Sequence, residues 1–239
     1  MIKTISVIIP TLNEEKYLPH LIRDLAKQTS LPLEAVIVDG GSTDKTVEII
    51  KSIQRSSPLS IVLIQTNKKN PGFQRNLGSE KASGDIIAFF DADMRIPSPN
   101  FFENIQKCFG DYDAVIPWLH ISRREEVFSD RVASLVIRIT MALPRLFGFY
   151  PFRGTLLVSR IAFHRCHGFS ENKIVGEDVD LGLRLSRHGK MMMSREEVIE
   201  CPRRFRKLGY VRVFSSWIWN GVVGFFSGSS PERIWKEVR

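Results

Sequence analysis

Residues 86–94 read Ile-Ile-Ala-Phe-Phe-Asp-Ala-Asp-Met. Five apolar residues run unbroken into two carboxylates one residue apart. An apolar run of this length predicts a strand buried on both faces, which occurs in parallel sheets covered by helices. Open α/β sheets bind their ligands outside the carboxyl ends of such strands, so Asp91 and Asp93 are delivered to a crevice. Along an extended chain residues i and i+2 point the same way, which lets both carboxylates share one cation. Hard divalent ions such as Mg²⁺ or Mn²⁺ take oxygen ligands and complete their shells with water and substrate phosphates. The plain alternative for an isolated Asp-x-Asp is a turn cap after the strand, and the surroundings must decide.

Upstream, strand and helix patterns alternate. Residues 5–10 (Ile-Ser-Val-Ile-Ile-Pro) form a β-branched run closed by proline, and residues 11–15 are expected to open a helix with Leu18, Leu21, Ile22 and Leu25 on its apolar side. A second run, 35–38, ends in Asp39-Gly40-Gly41-Ser42-Thr43-Asp44, where the glycines allow a tight turn and Ser42, Thr43 or Asp44 can cap the next helix. A third run at 60–65 precedes a turn at Asn70-Pro71-Gly72 and a helix over about 73–82. Strands separated by helical stretches require parallel crossovers, so the expected fold is α/β, a doubly wound, mainly parallel sheet with helices on both faces.

Composition narrows the partners. The chain has 239 residues, 43% of them hydrophobic, and a net charge of +8. It can bury one large core, and its charge asks for an anionic partner: a phosphorylated substrate, a nucleic acid or an anionic membrane. Three widely spaced cysteines, Cys108, Cys166 and Cys201, fit a reduced intracellular setting better than a disulfide framework. The short apolar run after Lys3 breaks at Pro10 and passes into Asn13, Glu14 and Glu15, unlike a secretory leader; the expectation is a chain that stays in the cytoplasm.

At the predicted strand ends, Asp39 is placed to accept hydrogen bonds from a base or ribose, and Arg75 with Asn76 follows a glycine turn, where a guanidinium meets phosphates. Each has a plain reading too: turn residue, solvated helix face, local cap. In order, Ser6-Val7-Ile8-Ile9-Pro10-Thr11-Leu12-Asn13-Glu14-Glu15, Val38-Asp39-Gly40-Gly41-Ser42-Thr43-Asp44, Arg75-Asn76-x-Gly78 and Asp91-Ala92-Asp93 resemble the motifs of family-two glycosyltransferases with the GT-A fold. The resemblance continues through residues 154–160, Phe163, Gly168-Phe169, Gly176-Glu177-Asp178-Val179-Asp180-Leu181 and Arg203-Arg204-Phe205. It covers roughly residues 1–205 and is weakest between 109 and 152. It implies that Pro10, Thr11 and Glu14 line a nucleotide pocket, that Asp39 meets the base, and that Arg75 lies beside the nucleotide. It further implies that Asp93 is the main ligand of Mg²⁺ or Mn²⁺, that Asp91 lies nearer the ribose or the ion, and that Asp178, beside Glu177, is the general base.

The base assignment has its own physical logic. Inversion at a sugar carbon needs one group to deprotonate the acceptor hydroxyl opposite the leaving diphosphate. Glu177 and Asp178 also open an apolar-periodic helix, where acidic residues suit the N-terminus whatever their chemistry. Arg203 and Arg204, in a basic segment with Arg206, Lys207 and Arg212, offer forked donors to a diphosphate. The five histidines show no metal-ligand spacing and read mostly as surface or core-edge residues, with His120 and His167 the best candidates for a place near a substrate.

Two late segments look interfacial. Over 127–150, Phe128, Val132, Leu135, Val136, Ile139, Leu143 and Leu146 recur at helical spacing between Arg131, Arg138 and Arg145. Residues 213–228 carry no charge but hold Trp217, Trp219, Phe225 and Phe226, too short a run to span a bilayer. Such helices suit peripheral binding to anionic lipid, or packing on the sheet or in a homodimer contact. The expected organisation is a GT-A domain over 1–205, with a nucleotide-binding half (1–95) and an acceptor-binding half (96–205), followed by an apolar or amphipathic helical segment (206–239). The expected activity is metal-dependent, inverting transfer from a nucleotide-diphospho-sugar to a lipid-linked or polyprenyl-phosphate acceptor at the cytoplasmic membrane face. A sugar-1-phosphate nucleotidyltransferase is disfavoured because the first loop is acidic rather than glycine-rich and basic. A nucleic-acid-binding module is disfavoured by paired carboxylates that repel a phosphate backbone.

Overall fold

The computed structural model describes residues 3–121, 127–173 and 176–216. The first four apolar runs form strands: β1 (Ile5–Thr11), β2 (Glu34–Asp39), β3 (Ile61–Gln65) and β4 (Ile86–Phe90). They pair in parallel in the order β3-β2-β1-β4, as crossover helices require. The crossovers are α1 (Leu18–Ala26), α2 (Thr46–Gln54) and α3 (Pro71–Lys81), and α3 packs on β1 and β2. β2 and β4 are buried at every position, which is why neither shows a polar alternation.

Beyond β4 the sheet becomes mixed. The remaining elements are β5 (Met94–Arg95), α4 (Phe101–Gln106), β6 (Ala114–Ile121), α5 (Phe128–Ala142), β7 (Thr155–Ser159), α6 (Arg160–Arg165), α7 (Glu177–His188), β8 (Met191–Glu200) and α8 (Arg203–Leu208). The sheet order is β3-β2-β1-β4-β7-β6-β8-β5, with β7 antiparallel to β4 and β6, β8 parallel to β6, and β5 antiparallel to β8. One apolar core therefore runs across both halves of the chain, from Ile5 through Phe89 and Phe90 to Val198 and Phe205.

Several local expectations change. Residues 12–17 are a loop, not the start of a helix. Asn13 adopts a left-handed φ of 57°, and α1 starts at Leu18 with a proline in its first turn, where the missing N–H costs nothing. α3 starts earlier than expected, at Pro71, because the Asn70 side chain accepts from Phe73 N at 2.9 Å and caps it. The long amphipathic pattern over 127–150 is broken: α5 stops at Ala142, a 3-10 turn follows (Leu143–Phe147), and Gly148 closes it at φ 74°. β6 keeps Pro117 by shifting register between Ile116 and Trp118, the one kind of place an interior strand tolerates a proline.

Near the C-terminus, residues 210–216 are helical and Val213 is buried. The rest of the predicted apolar segment, with Trp217, Trp219, Phe225 and Phe226, lies outside the described residues. No helix among the described residues is long and apolar enough to cross a membrane.

Candidate active site

The carboxyl ends of β1, β2 and β4 come together at one edge of the sheet, and the predicted motifs sit there. Thr11, the last residue of β1, is in register with Asp39, the last of β2, and both are buried. Pro10 pairs with Val38 one step below. Asp39 shapes its own loop: Oδ2 accepts from Gly41 N at 3.1 Å and Ser42 N at 3.0 Å, and Oδ1 from the Ser42 hydroxyl. Gly41 takes φ 88°, a conformation a side chain resists. The loop after β1 is sewn to the same turn, since Asn13 Oδ1 accepts from Thr43 N and Glu14 N donates to Thr46 Oγ1, each at 2.8 Å.

Asp91 and Asp93 do not continue the extended strand. The chain leaves the extended conformation at Phe90, and Met94 N bonds back to Asp91 O at 3.1 Å, so the triplet is a turn. Each carboxylate acquires its own arginine. Arg75, nearly fully buried, donates from Nη2 to Asp91 at 2.7 Å and from Nη1 to Glu177 at 2.8 Å, and its guanidinium lies over the Phe169 ring at 5.1 Å. Burial opposes that charge, yet Asp91 and Glu177 outweigh it and hold the guanidinium more firmly protonated than usual. Arg75 thus binds the end of β4 to the start of α7.

Asp93 pairs with a different arginine. Arg203, at the start of α8, reaches Asp93 Oδ2 at 3.1 Å, pairs with Glu14, and stacks on Tyr17 at 4.7 Å. Burial pushes the Asp93 carboxyl up to about 7; Arg203 opposes the rise, while Glu200, Glu14 and Asp91 add to it. Glu14 is itself raised, first by burial. Among the described residues, Glu14 Oε2 and Glu200 Oε2 are buried without a hydrogen-bond partner. Buried carboxylate oxygens without donors and a charge-starved Asp93 are what a site built for an added cation shows. Among the described residues no three Asp, Glu, His or Cys side chains could hold a metal by themselves. A cation here would take one or two carboxylates from the protein and the rest of its shell from water and phosphate oxygens, as Mg²⁺ does in phosphate sites.

Asp178 stands at the second position of α7. Its Oδ1 accepts from Val179 N at 2.8 Å, and among the described residues it has no salt bridge. Burial, then the Glu177 charge, pushes it up to about 7, against Arg75 and Arg153. Asp180, two residues on, is pulled down despite burial by Lys173 at 2.8 Å and Arg184 at 2.6 Å and so is committed to holding α7 in place. A carboxyl poised near neutrality beside a fixed arginine–carboxylate framework can act as a proton acceptor.

Sequence reasoning missed Glu200 and Arg153. Glu200, the last residue of β8, pairs in register with Met94 and accepts from Arg153 Nη2 at 2.9 Å. Its signal was an acidic residue at the end of a strand, but β8 (Met-Met-Met-Ser-Arg-Glu-Glu-Val-Ile-Glu) is only half-buried and does not read as one. Arg204 lies near Arg153, Glu200, Asp93 and Asp91; burial and Arg153 lower its hold on the proton. Asn76 serves the fold, bonding both backbone groups of Phe169 at 2.9 Å. His120 pairs with Glu197 at 3.0 Å between β6 and β8, and His167 occupies a left-handed turn at φ 58°.

Comparison with known proteins agrees with this arrangement. Residues 6–174 match the family described as Glycosyl transferase family 2. The chain is 39% identical over 90 residues to the poly(ribitol-phosphate) beta-N-acetylglucosaminyltransferase TarS of Staphylococcus aureus, covering 37% of this chain and 16% of TarS. It is 34% identical over 156 residues to the undecaprenyl-phosphate 4-deoxy-4-formamido-L-arabinose transferase of Photorhabdus laumondii, 62% of this chain and 47% of that one. The chain thus spans less than half the length of these relatives. In three dimensions it matches the mannosyltransferase PcManGT of Pyrobaculum calidifontis, solved with GDP-Man and Mn²⁺, at a TM-score of 0.73 and 20% identity over 95% of this chain and 64% of that one. TarS 1–349 with UDP matches at 0.65 and 20% identity, over 91% and 66%. With the family match extending over most of its length and the motif carboxylates gathered at the sheet's carboxyl edge, the chain belongs to glycosyl transferase family 2 and has the GT-A fold.

Proposed function

We propose that this chain transfers a sugar, with inversion, from a nucleotide-diphospho-sugar to a lipid-linked or polyprenyl-phosphate acceptor at the cytoplasmic membrane face. The observation that carries the reading is the acidic crevice beside Arg203, where Asp93 is raised to about 7 and two buried carboxylate oxygens lack donors among the described residues. In this reading residues 1–95 bind the nucleotide. Pro10, Thr11 and Asp39 face the base and ribose, with Arg75 fixing Asp91 beside them. Asp93, with Asp91 nearby, would hold Mg²⁺ or Mn²⁺. Such an ion, when bound, neutralises charge on the departing diphosphate.

The chain's own residues do the rest. Glu14 and Asp93 hold Arg203 at the crevice, where its fork can pass to phosphate oxygens as the leaving group forms, with Arg204 beside it. Residues 96–205 bind the acceptor, and Asp178 removes the proton from its attacking hydroxyl; Glu177 keeps Arg75 in place and raises Asp178 toward the working pH. A phosphate acceptor is already ionised, and Asp178 then only orients it. The undecaprenyl-phosphate transferase among the relatives supports that acceptor class. A nucleotidyltransferase is disfavoured because the loop after β1, Thr11-Leu12-Asn13-Glu14-Glu15, is acidic and not a glycine-rich, basic phosphate loop.

The test is to screen nucleotide sugars for diphosphate release with Mn²⁺ or Mg²⁺ in the presence of membrane lipid extracts. Release that needs donor, divalent ion and lipid together is the expected outcome. No release with any donor, or release unchanged by a chelator, would refute it.

A further inference from the structure

One face of α5 is apolar on the outside. Its inward positions Ala133, Ile137 and Met141 already fill the core against β6. Yet Val132, Leu135 and Ile139 are exposed on the opposite side, continuing into Phe128 (82% exposed), Leu146 (80%) and Phe147 (88%) at the two ends. Residues 128, 132, 135, 139, 143 and 146 are spaced by three or four, so they form one stripe along the helix and the following turn. A contiguous stripe of this kind marks an interaction surface.

The charges beside the stripe select its occupant. From residue 128 to 150 the basic side chains are Arg131, Arg138 and Arg145, and the single carboxylate is Asp130. Asp130 is turned inward and fully buried, neutralised by Arg206 Nη2 at 2.8 Å and the Tyr210 hydroxyl. Arg138 and Arg145 lie over the Trp118 ring, with guanidinium carbons 5.2 and 5.8 Å from its centroid. Among residues 128–150 the surface therefore offers large apolar side chains flanked by cations, with no outward carboxylate. A second copy of the chain would set arginine against arginine. An anionic bilayer satisfies both features, since its acyl boundary accepts the apolar side chains and its headgroups accept the arginines.

We propose that α5 and the turn after it form a membrane-docking face for anionic lipid. The docking helix is also tied to the active site. Asp130 anchors Arg206 of α8, and α8 begins with Arg203, which pairs with Glu14 and Asp93. A helix lying in the headgroup layer would thus hold the crevice at the bilayer surface, where a lipid-linked acceptor presents its head. In that respect the inference rests on the proposed acceptor class.

The test uses the full chain and vesicles without donor or acceptor, so its failure leaves sugar transfer itself untouched, and a protein that transfers no sugar could still pass it. Wild-type protein should sediment with phosphatidylglycerol-containing vesicles and much less with pure phosphatidylcholine. The double variant Leu146→Glu/Phe147→Glu, at two highly exposed positions, should melt like wild type yet lose at least about tenfold in vesicle partition. Any of three results overturns the proposal: wild type staying in the supernatant with anionic vesicles; unchanged partition of the variant, which would assign binding to another segment such as 213–228; or a concentration-dependent dimer that the double variant dissociates, which would make the face a contact between copies.

Discussion

Replacing Asp93 with asparagine should stabilise the metal-free protein while destroying its use of metal. The carboxyl is 15% exposed, and Arg203, 3.1 Å away, is shared with Glu14, while Glu200, Glu14 and Asp91 all oppose its charge. Folding raises it from its ordinary 3.8 to about 7. Between those values the folded state keeps a proton that the unfolded chain has lost, so stability falls as pH rises from about 4 to about 7 and stays low above that. At about 1.4 kcal/mol per tenfold change, the ionised side chain costs the fold up to about 4 kcal/mol at pH 8. Asparagine removes the charge but leaves Arg203 with one partner fewer, so the expected net gain is roughly 1–3 kcal/mol, several degrees in Tm. Urea unfolding at pH 8 with a chelator measures it, and the gap between wild type and Asp93→Asn should close near pH 5, where wild type is protonated. Calorimetric titration with a nucleoside diphosphate should show that the Mn²⁺-dependent part of the affinity is gone. A variant no more stable than wild type at pH 8 would show that the charge is already compensated, and unchanged metal-dependent affinity would show that Asp93 is not a ligand.

Asp178→Asn should leave donor affinity near wild type and lower turnover by roughly two to four orders of magnitude, the span of a lost general base. Wild-type turnover should rise with pH through about 7, the value burial and Glu177 impose on Asp178, and near-normal turnover in the variant would remove its role as base. Arg75→Met leaves Glu177 buried without its cation and Asp91, which is 37% exposed, without its ion-pair partner, and should cost about 3–5 kcal/mol in chemical denaturation. A loss below about 1 kcal/mol, the size of an exposed pair, would contradict the framework role given to Arg75. Gly154→Ala places a methyl 2.8 Å from Asp91 Oδ2 and 2.5 Å from Met94 Cε at a φ of 63°. It should weaken donor binding by displacing Asp91, and wild-type affinity in a folded variant would mean that Asp91 does not need that position.

The sequence by itself determined the parallel half of the sheet. Where a strand is buried on both faces its residues are mainly apolar, and where it ends at a crevice polar residues follow, so β1, β2 and β4 with Thr11, Asp39 and the Asp91–Asp93 pair were legible as contrasts between neighbours. The ordered motifs added α7 and Asp178. The sequence misplaced the start of α1 because Asn13 takes a left-handed conformation fixed by partners 30 and 31 residues away, Thr43 and Asp44. It gave the two carboxylates a common face only for a chain that stayed extended, and nothing local shows that Met94 N bonds back to Asp91 O.

Only the tertiary structure decided the pairings. Arg75 lies 102 residues from Glu177, Glu14 189 from Arg203, and Asp130 76 from Arg206. Neither strand β6 with its proline nor the half-polar β8 showed a periodicity strong enough to be read, so Glu200, at the end of β8, went unseen until the sheet brought it beside Met94. Charge is carried by single side chains, but pKa and ion pairing are properties of neighbourhoods. A sequence states which carboxylates exist; burial and the position of two arginines decide which is structural, which is raised toward neutrality, and which still lacks a partner.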